Sequence, residues 1–501
     1  MKKIKKKLFE LITWILVVCA TVFLYITIAG NNAFPNKWKL PFIAFLALLV
    51  SLSGIFSIVT KKFGRYVIGI VNIFIAICLF GLTLFLPGVK KQAQTLFKET
   101  TEEEAIINVY RLKGNDKDLS EGTFILQKAL DQQNQEYALD QLKDFLDQDE
   151  LSIIETKDIL SGVDALYNKE GDFLLLNDVY VDAIEDVSTY RDFSDETEVV
   201  YGVVNQIVKE EKTFVHEDIT TTPFTVYVAG CDTRSGRLTI YGRTDVNLLL
   251  SINPNTKQIL IVGIPRDAYI PNPALNYGED KLTHLGNHGI DNTMKGVSEY
   301  FDIPIDHYGE VIFETFKSII DALGGIDVDN PYYFNTINGN GGGNREFPEG
   351  VIHMDGETAL SYCRERWNLP NGAYGRNEHQ TYVLKAIMNK LLSREILDRY
   401  VFVWDALKGQ FMSDFDIEDI FDLAAMQFDD EGKWEIITYH LGGKGDMCGT
   451  ASMGFDRKLY VVHLFDSQVQ FVKQQIDLLK KDELIQQEVL PQNDETTYIP
   501  N

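Results

Sequence analysis

The sequence predicts an α/β protein: a layered α/β domain, a smaller α+β domain before it, and three N-terminal transmembrane helices. Three observations predict this. Three apolar runs free of charged residues open the chain. Short apolar, strand-like runs between residues 224 and 264 are separated by turn signals and followed by amphipathic helical patterns. The segment between these regions mixes both textures and carries none of the later motifs.

The 501 residues suit two or three folded units at about 150 residues each. Lys and Arg number 47 and Asp and Glu 73, for a formal charge of −26. That balance excludes a general nucleic-acid binder, which needs a basic footprint for phosphates. A hydrophobic content of 45% with 24% charged residues excludes bulk disorder.

The membrane region spans residues 1–88. Leu11–Gly30, Leu40–Thr60 and Tyr66–Gly88 carry no charge, and each is long enough to cross about 30 Å of hydrocarbon as a helix. A signal peptide has a shorter apolar core and would not explain three runs in series. The N-terminus MKKIKKK holds five lysines and the second loop, Lys61–Arg65, three basic residues; the first loop, Asn31–Lys39, holds two. The richer flanks belong in the cytoplasm, so everything after Gly88 is expected outside a cell membrane crossed several times.

Residues 89–102 read as a juxtamembrane connector and 103–215 as an accessory domain. Helical spacing occurs at Thr123–Leu130 and Leu139–Phe145, and a strand-like run at Asp172–Val179. Residues 216–481 read as the layered α/β domain. Its strands are expected at Phe224–Gly230, Val246–Ile252, Ile259–Ile264 and Trp434–Leu441. Its helices are expected around Thr293–Phe301, Glu314–Leu323, Asp355–Ser361, Asn377–Leu392 and Ile417–Gln427. Residues 482–501 are acidic and polar and read as a loose tail. Of the five cysteines, Cys231, Cys363 and Cys448 lie outside the spans, and an odd number cannot all pair.

Candidate chemistry sits at strand ends. Gly230-Cys231-Asp232-Thr233-Arg234 ends the first strand and Arg243-Thr244-Asp245 leads into the next. Two aspartates so placed can share a Mg²⁺, which takes one or two carboxylates plus substrate phosphates. Ile264-Pro265-Arg266-Asp267 follows the third strand, and Lys281 is a further cation nearby in sequence. Asp355–Arg366 reads as a capped helix ending in Arg364 and Arg366, which share a face if that stretch is extended. Arg376 and Gln380 are four apart and share one face of the next helix. Guanidinium groups bind phosphate oxygens as a fork, and converging arginines repel one another without an anion. Solvated loop arginines and Arg–Glu surface pairs through Glu365 and Glu378 are the plainer alternative. No Ser-His-Asp spacing, zinc signature or Walker loop is present. The Gly-rich run Gly339–Gly343 follows no clear strand and reads as a mobile loop near the site or an ordinary surface loop.

These five motifs, in this order, resemble the catalytic domain of the LytR–CpsA–Psr (LCP) family of Gram-positive cell-envelope phosphotransferases. Three spans and an accessory domain resemble its capsule-type, CpsA-like branch. The resemblance implies an LCP-type α/β/α domain and a Mg²⁺-dependent glycopolymer phosphotransferase. It would move a glycopolymer, capsular polysaccharide in that branch, from a polyprenyl pyrophosphate carrier to peptidoglycan, the lipid tail lying between sheet and helices. It places Asp232 and Asp245 at the metal, and Arg243, Arg266, Arg364, Arg366, Arg376 and Gln380 around the pyrophosphate, with Lys281 beside them. Asp267 or Asp232 is the candidate base for the acceptor hydroxyl. Ala373 and His379 depart from residues common in relatives. The competing readings are a membrane-anchored regulator, which leaves too little chain inside to read bases, a non-catalytic binder of lipid-linked polymer, and a polyprenyl pyrophosphatase.

Overall fold

A computed structural model describes residues 2–29, 36–59, 63–97, 102–127, 130–208, 218–231, 242–336, 344–370, 373–393, 395–396, 399–407, 411–415, 417–429 and 432–491. The chain divides into two compact units. The first contains α1 (Lys2–Ala29), α2 (Asn36–Val59) and α3 (Phe63–Phe97). Within them Leu11–Ala29, Lys39–Val59 and Tyr66–Leu84 are long and apolar enough to cross a membrane. Polar groups at such depth need partners in the protein. Ser53 donates to Asn72 at 2.7 Å, Asn72 donates to Ser57 at 3.2 Å, and the Trp14 indole donates to the Val50 carbonyl at 3.1 Å. These bonds tie the three helices together. The helix Ile417–Asp429, distant in sequence, packs on α2 and α3 in this unit. Within the expected connector α3 continues to Phe97, because VKKQAQTLF contains neither Gly nor Pro and is rich in helix formers.

The second unit begins with β1 (Glu102–Leu112), β2 (Thr123–Leu126), α4 (Gln132–Leu146), β3 (Ser152–Glu155), α5 (Ile159–Tyr167), β4 (Phe173–Asn177), α6 (Val181–Glu185) and β5 (Thr197–Val208). Their sheet runs β3-β2-β4-β1-β5, with β2 parallel to β3 and β4 and the other pairs antiparallel. Thr123–Leu130 was expected to be helical, but Thr123–Leu126 is a strand. Phe124, Ile125 and Leu126 are buried in succession, which suits a strand covered on both faces. Phe124 and Leu126 pack toward α4, and Ile125 packs toward α5 and α6.

The larger sheet contains β6 (Phe224–Cys231), β7 (Thr244–Asn253) and β8 (Gln258–Gly263). It is covered by α7 (Ile290–Phe301), then joined by β9 (His307–Ile312), with α8 (Phe313–Ala322), α9 (Gly356–Arg364) and α10 (Ala373–Leu391) following. The short strand β10 (Phe411–Ser413) forms one edge and β11 (Glu435–His440) the other. The order is β10-β9-β6-β7-β8-β11; β9–β6 and β8–β11 are parallel and the remaining pairs antiparallel. A hairpin, β12 (Gly443–Thr450) and β13 (Gly454–Leu464), leads to α11 (Asp466–Lys480). Tyr227, Leu249, Leu260 and Val262 face α7 and α11, while α10 crosses the opposite side of the sheet. The layered α/β/α domain is thus observed.

The tail expected from residue 482 is packed as far as residue 491. Ile485 is buried in the sheet core and exchanges two bonds with the Gln258 side chain, at 2.7 and 2.9 Å. The polar composition concealed this, because side-chain amides hold the segment. The accessory and layered domains share a core: Met453 and Leu459 of the hairpin region lie among the residues of α5 and α6. Arg457 grips Asp164 with two bonds of 2.6 Å. Among the described residues no two cysteines form a disulfide: Cys231 donates to Glu310 at 2.7 Å, and Cys363 is buried in a separate core beside Tyr362.

Asp280 is wholly buried. It meets His284 Nδ1 at 2.8 Å and accepts from the Ser452 hydroxyl at 3.0 Å and from Asn272 at 3.2 Å. Ser452 and Asp280 meet the same imidazole nitrogen, so the cluster is a structural network and not a hydrolytic triad. Asp280→Ala should destabilise the fold by about 2–4 kcal/mol, since His284 and Ser452 lose a buried partner. Denaturant unfolding of the full chain checks this, and a change near zero would contradict it. Burial pushes His288, His379 and His440 down to about 4. The unfolded chain therefore binds more protons than the folded one between the ordinary histidine value and about pH 4. Stability from this source is complete above pH 6.5 or so and is lost as pH falls through that window. The melting temperature should drop by several degrees from pH 7.5 to pH 4.5; a flat profile would count against it.

Candidate functional site

The antiparallel register seats Cys231 opposite Thr244, the residues before Asp232 and Asp245. Asp232, like Arg234 and Gly339–Gly343, lies outside the described residues. Gly242 donates to the Gly286 carbonyl at 3.1 Å, and a Cβ at Gly286 would stand 2.2 Å from the Gly242 carbonyl. Only glycine permits that approach, which sets the entry of Arg243 into the site.

Beyond β8 the chain is pinned by its backbone. Ile264 N–H bonds to the Asn247 carbonyl at 2.9 Å, Thr283 N–H to the Arg266 carbonyl at 2.9 Å, and Val462 N–H to the Asp267 carbonyl at 2.8 Å. Arg266 then spreads its guanidinium among three carboxylates. Nη1 meets Asp245 Oδ1 at 2.7 Å, Nη2 lies 3.6 Å from Asp186 Oδ2, and Nε lies 3.7 Å from Asp267 Oδ2. Arg243 Nη2 is 2.8 Å from Asp186 Oδ2 and 4.0 Å from Asp245 Oδ1. Lys281 donates to Asp267 at 3.1 Å.

Arg376 and Gln380, on one face of α10 as the spacing predicts, line a cleft with Asp245, Arg266, Asp267, Asn377, Tyr460 and Val462. Burial alone would raise Asp245 and Asp267, but Arg266, Lys281, Arg243 and Arg376 outweigh it. Asp245 is held down at about 2, and Asp267 lies well below the usual carboxylate range. Asp245 raises Arg266. Arg376 is shifted the other way: burial first, then Arg266 and Arg366, bring it down to about 10 despite the aspartates.

Two expected residues stand differently. Arg364 and Arg366 do not share the face of an extended stretch. α9 ends at Arg364, whose guanidinium lies over Phe313 at 4.9 Å, and Arg366 lies over Trp367 at 4.9 Å. The buried Glu365 carboxylate accepts from the backbone N–H groups of Arg366, Trp367 and Asn368 at 2.7–3.1 Å and fixes the turn that follows the helix. His379 faces the core, stacked on Tyr362 with ring centroids 4.0 Å apart and in hydrogen-bonding contact with Tyr332 at 3.1 Å.

Sequence reasoning missed two residues. Asn377 is buried in the cleft with neither amide atom satisfied, against Gly263, where a Cβ would come within 2.6 Å of its oxygen. Its position beside Arg376 at the helix start was the available signal. Asp186 follows α6 in the accessory domain, and no motif marks it.

Residues 194–465 match the LytR_cpsA_psr family. A protein of Enterococcus faecalis named polyisoprenyl-teichoic acid–peptidoglycan teichoic acid transferase TagU is 32% identical over 232 residues, 46% of this chain and 73% of the relative. The TagU of Bacillus licheniformis is 30% identical over 225 residues, 44% of this chain and 69% of its own. A crystal structure of a Streptococcus agalactiae protein aligns with TM-score 0.45 and 23% identity, covering 55% of this chain and 93% of that one. With the family match extending over more than half of its length and including every motif at this cleft, the chain belongs to the LytR_cpsA_psr family.

Proposed function

We propose that the protein transfers a glycopolymer from a polyprenyl diphosphate carrier to peptidoglycan on the outer side of the membrane. The observation that carries this reading is the meeting of Arg266 and Arg376 on one cleft, the latter half-buried at the first turn of α10. The N-terminus of a helix adds backbone donors and a positive dipole end for the same anion. The names of the relatives support transfer of a polymer to peptidoglycan. Those relatives are named for teichoic acid. Capsular polysaccharide remains the polymer implied by the three spans and the accessory domain, most of which lies before the matched residues.

In this reading Arg243, Arg266 and Arg376 hold the diphosphate, with Gln380 and Asn377 at the cleft wall; the family resemblance adds Arg364, Arg366 and Lys281 to this set. Phosphoryl transfer asks the protein chiefly to position groups and to neutralise developing charge. Asp267 is ion-paired with Lys281 and Arg266 and held low, so it suits orienting those cations better than accepting a proton. Asp245 fits a Mg²⁺ ligand: it is ionised, offers hard oxygens, and both arginines reach it through Oδ1. The resemblance makes Asp232 its companion. Bound there, Mg²⁺ would neutralise charge on the phosphate oxygens.

The test uses the full chain in detergent, lipid-linked teichoic and capsular donors assayed in parallel, and peptidoglycan as acceptor. Transfer should need Mg²⁺ and stop with EDTA. Arg376→Ala should lower kcat/KM by about 100-fold, and Asp245→Asn should abolish the response to Mg²⁺ while the protein stays folded. Transfer indifferent to both would overturn the assignment, and lipid phosphate released without polymer on peptidoglycan would favour a pyrophosphatase. A phosphatase reporter fused after Asn501 should be active only outside the membrane; activity confined to the cytoplasm would reverse the orientation.

A further inference from the structure

Asp186 is the one accessory-domain carboxylate that reaches the arginines of the cleft among the described residues. It sits immediately after α6, and α6 is firmly held. Val181, Ala183 and Ile184 are buried in the core that also takes in Met453 and Leu459 of the hairpin region. The same hairpin sends Tyr460 and Val462 to the cleft wall. A second attachment starts one residue before α6. Tyr180 meets His288 edge-on, with ring centroids 6.4 Å apart, and His288 belongs to the Gly286–His288 turn that receives the bond from Gly242. The helix carrying Asp186 and the loop carrying Arg243 are therefore braced against one another.

The carboxylate does something specific there. Oδ2 of Asp186 lies between Nη2 of Arg243, at 2.8 Å, and Nη2 of Arg266, at 3.6 Å. Two like charges brought this near would otherwise repel. Each guanidinium has five N–H donors, and Asp186 engages one edge of each. Nε of Arg243 and Nε of Arg266 are buried without a hydrogen-bond partner. Both nitrogens are closed off from solvent, so the donors left for a further anion are the N–H groups of the terminal nitrogens that the carboxylates do not engage.

We infer that Asp186 is a positioning residue through which the accessory domain completes the diphosphate site: it holds Arg243 and Arg266 side by side so that their remaining donors meet the ligand. This rests on the diphosphate reading above. It assigns the accessory domain a part in donor binding rather than a separate task.

The experiment is a double-mutant cycle on the full chain in detergent, titrated with geranylgeranyl diphosphate and separately with inorganic pyrophosphate. Asp186→Asn keeps the shape and removes the charge. It should weaken binding of the lipid diphosphate about tenfold, while leaving the melting temperature unchanged. In an Arg243→Gln background the same substitution should cost less than about twofold, because the residue acts through that arginine. A loss confined to the lipid would place the effect at the tail, and a loss shared with pyrophosphate places it at the charged head, as inferred. Equal or tighter binding by Asp186→Asn would overturn the inference, the latter by making the carboxylate a competitor of the ligand. An undiminished tenfold loss in the Arg243→Gln background would also overturn it. If the unaltered protein binds neither probe, the diphosphate reading itself fails, and the inference fails with it.

Discussion

A guanidinium is costly to bury unless its charge is met, and Arg266 is met by Asp245, Asp267 and Asp186 within 2.7–3.7 Å. Each of these carboxylates comes from a different part of the chain. Asp245 opens β7, Asp267 follows β8, and Asp186 arrives from the accessory domain. The arginine is thereby the joint at which two sheets and their connections agree on one geometry. Its neighbours Arg243 and Arg376 share the same carboxylates, so that with Lys281 four cations stand among Asp186, Asp245 and Asp267, inside a chain of formal charge −26.

Rigidity around the cleft comes from backbone bonds more than from side chains. The Ile264–Asp267 segment is tied to β7, to Thr283 and to the hairpin strand β13. Side chains held on such a frame have little freedom left to lose. The hairpin is the common element. One part of it packs into the accessory core and another, at Tyr460 and Val462, lines the cleft. The buried Asp280 network reinforces the same corner, joining Asn272, His284 and Ser452.

The four strands around residues 224–264 and 434–441 were legible in the sequence because strands buried on both faces read as unbroken apolar runs. The helices were legible through their 3.6-residue period, and the Asp355 cap through its spacing to Thr358, whose N–H it accepts at 2.8 Å. Arg376 and Gln380 followed from the same period. Thr123–Leu126 was misread because a four-residue apolar run satisfies either period, and only its place between β3 and β4 makes it a strand. Residues 482–491 were misread because polar composition does not reveal side-chain amides bonded to a strand edge.

By itself, the sequence determined what depends on neighbours along the chain: the three apolar spans, the main strands and helices, and the order of the motifs that identify the family. Tertiary structure alone decided which charges meet. It ended the helix at Arg364 and set Arg366 beyond it, turned His379 into the core, and brought Asp186 to Arg243 across more than fifty residues. The physical reason is range. Hydrogen-bond periodicity and apolar patterning act over a few residues, whereas an ion pair is set by distance in space, which the chain reaches only after its cores have closed.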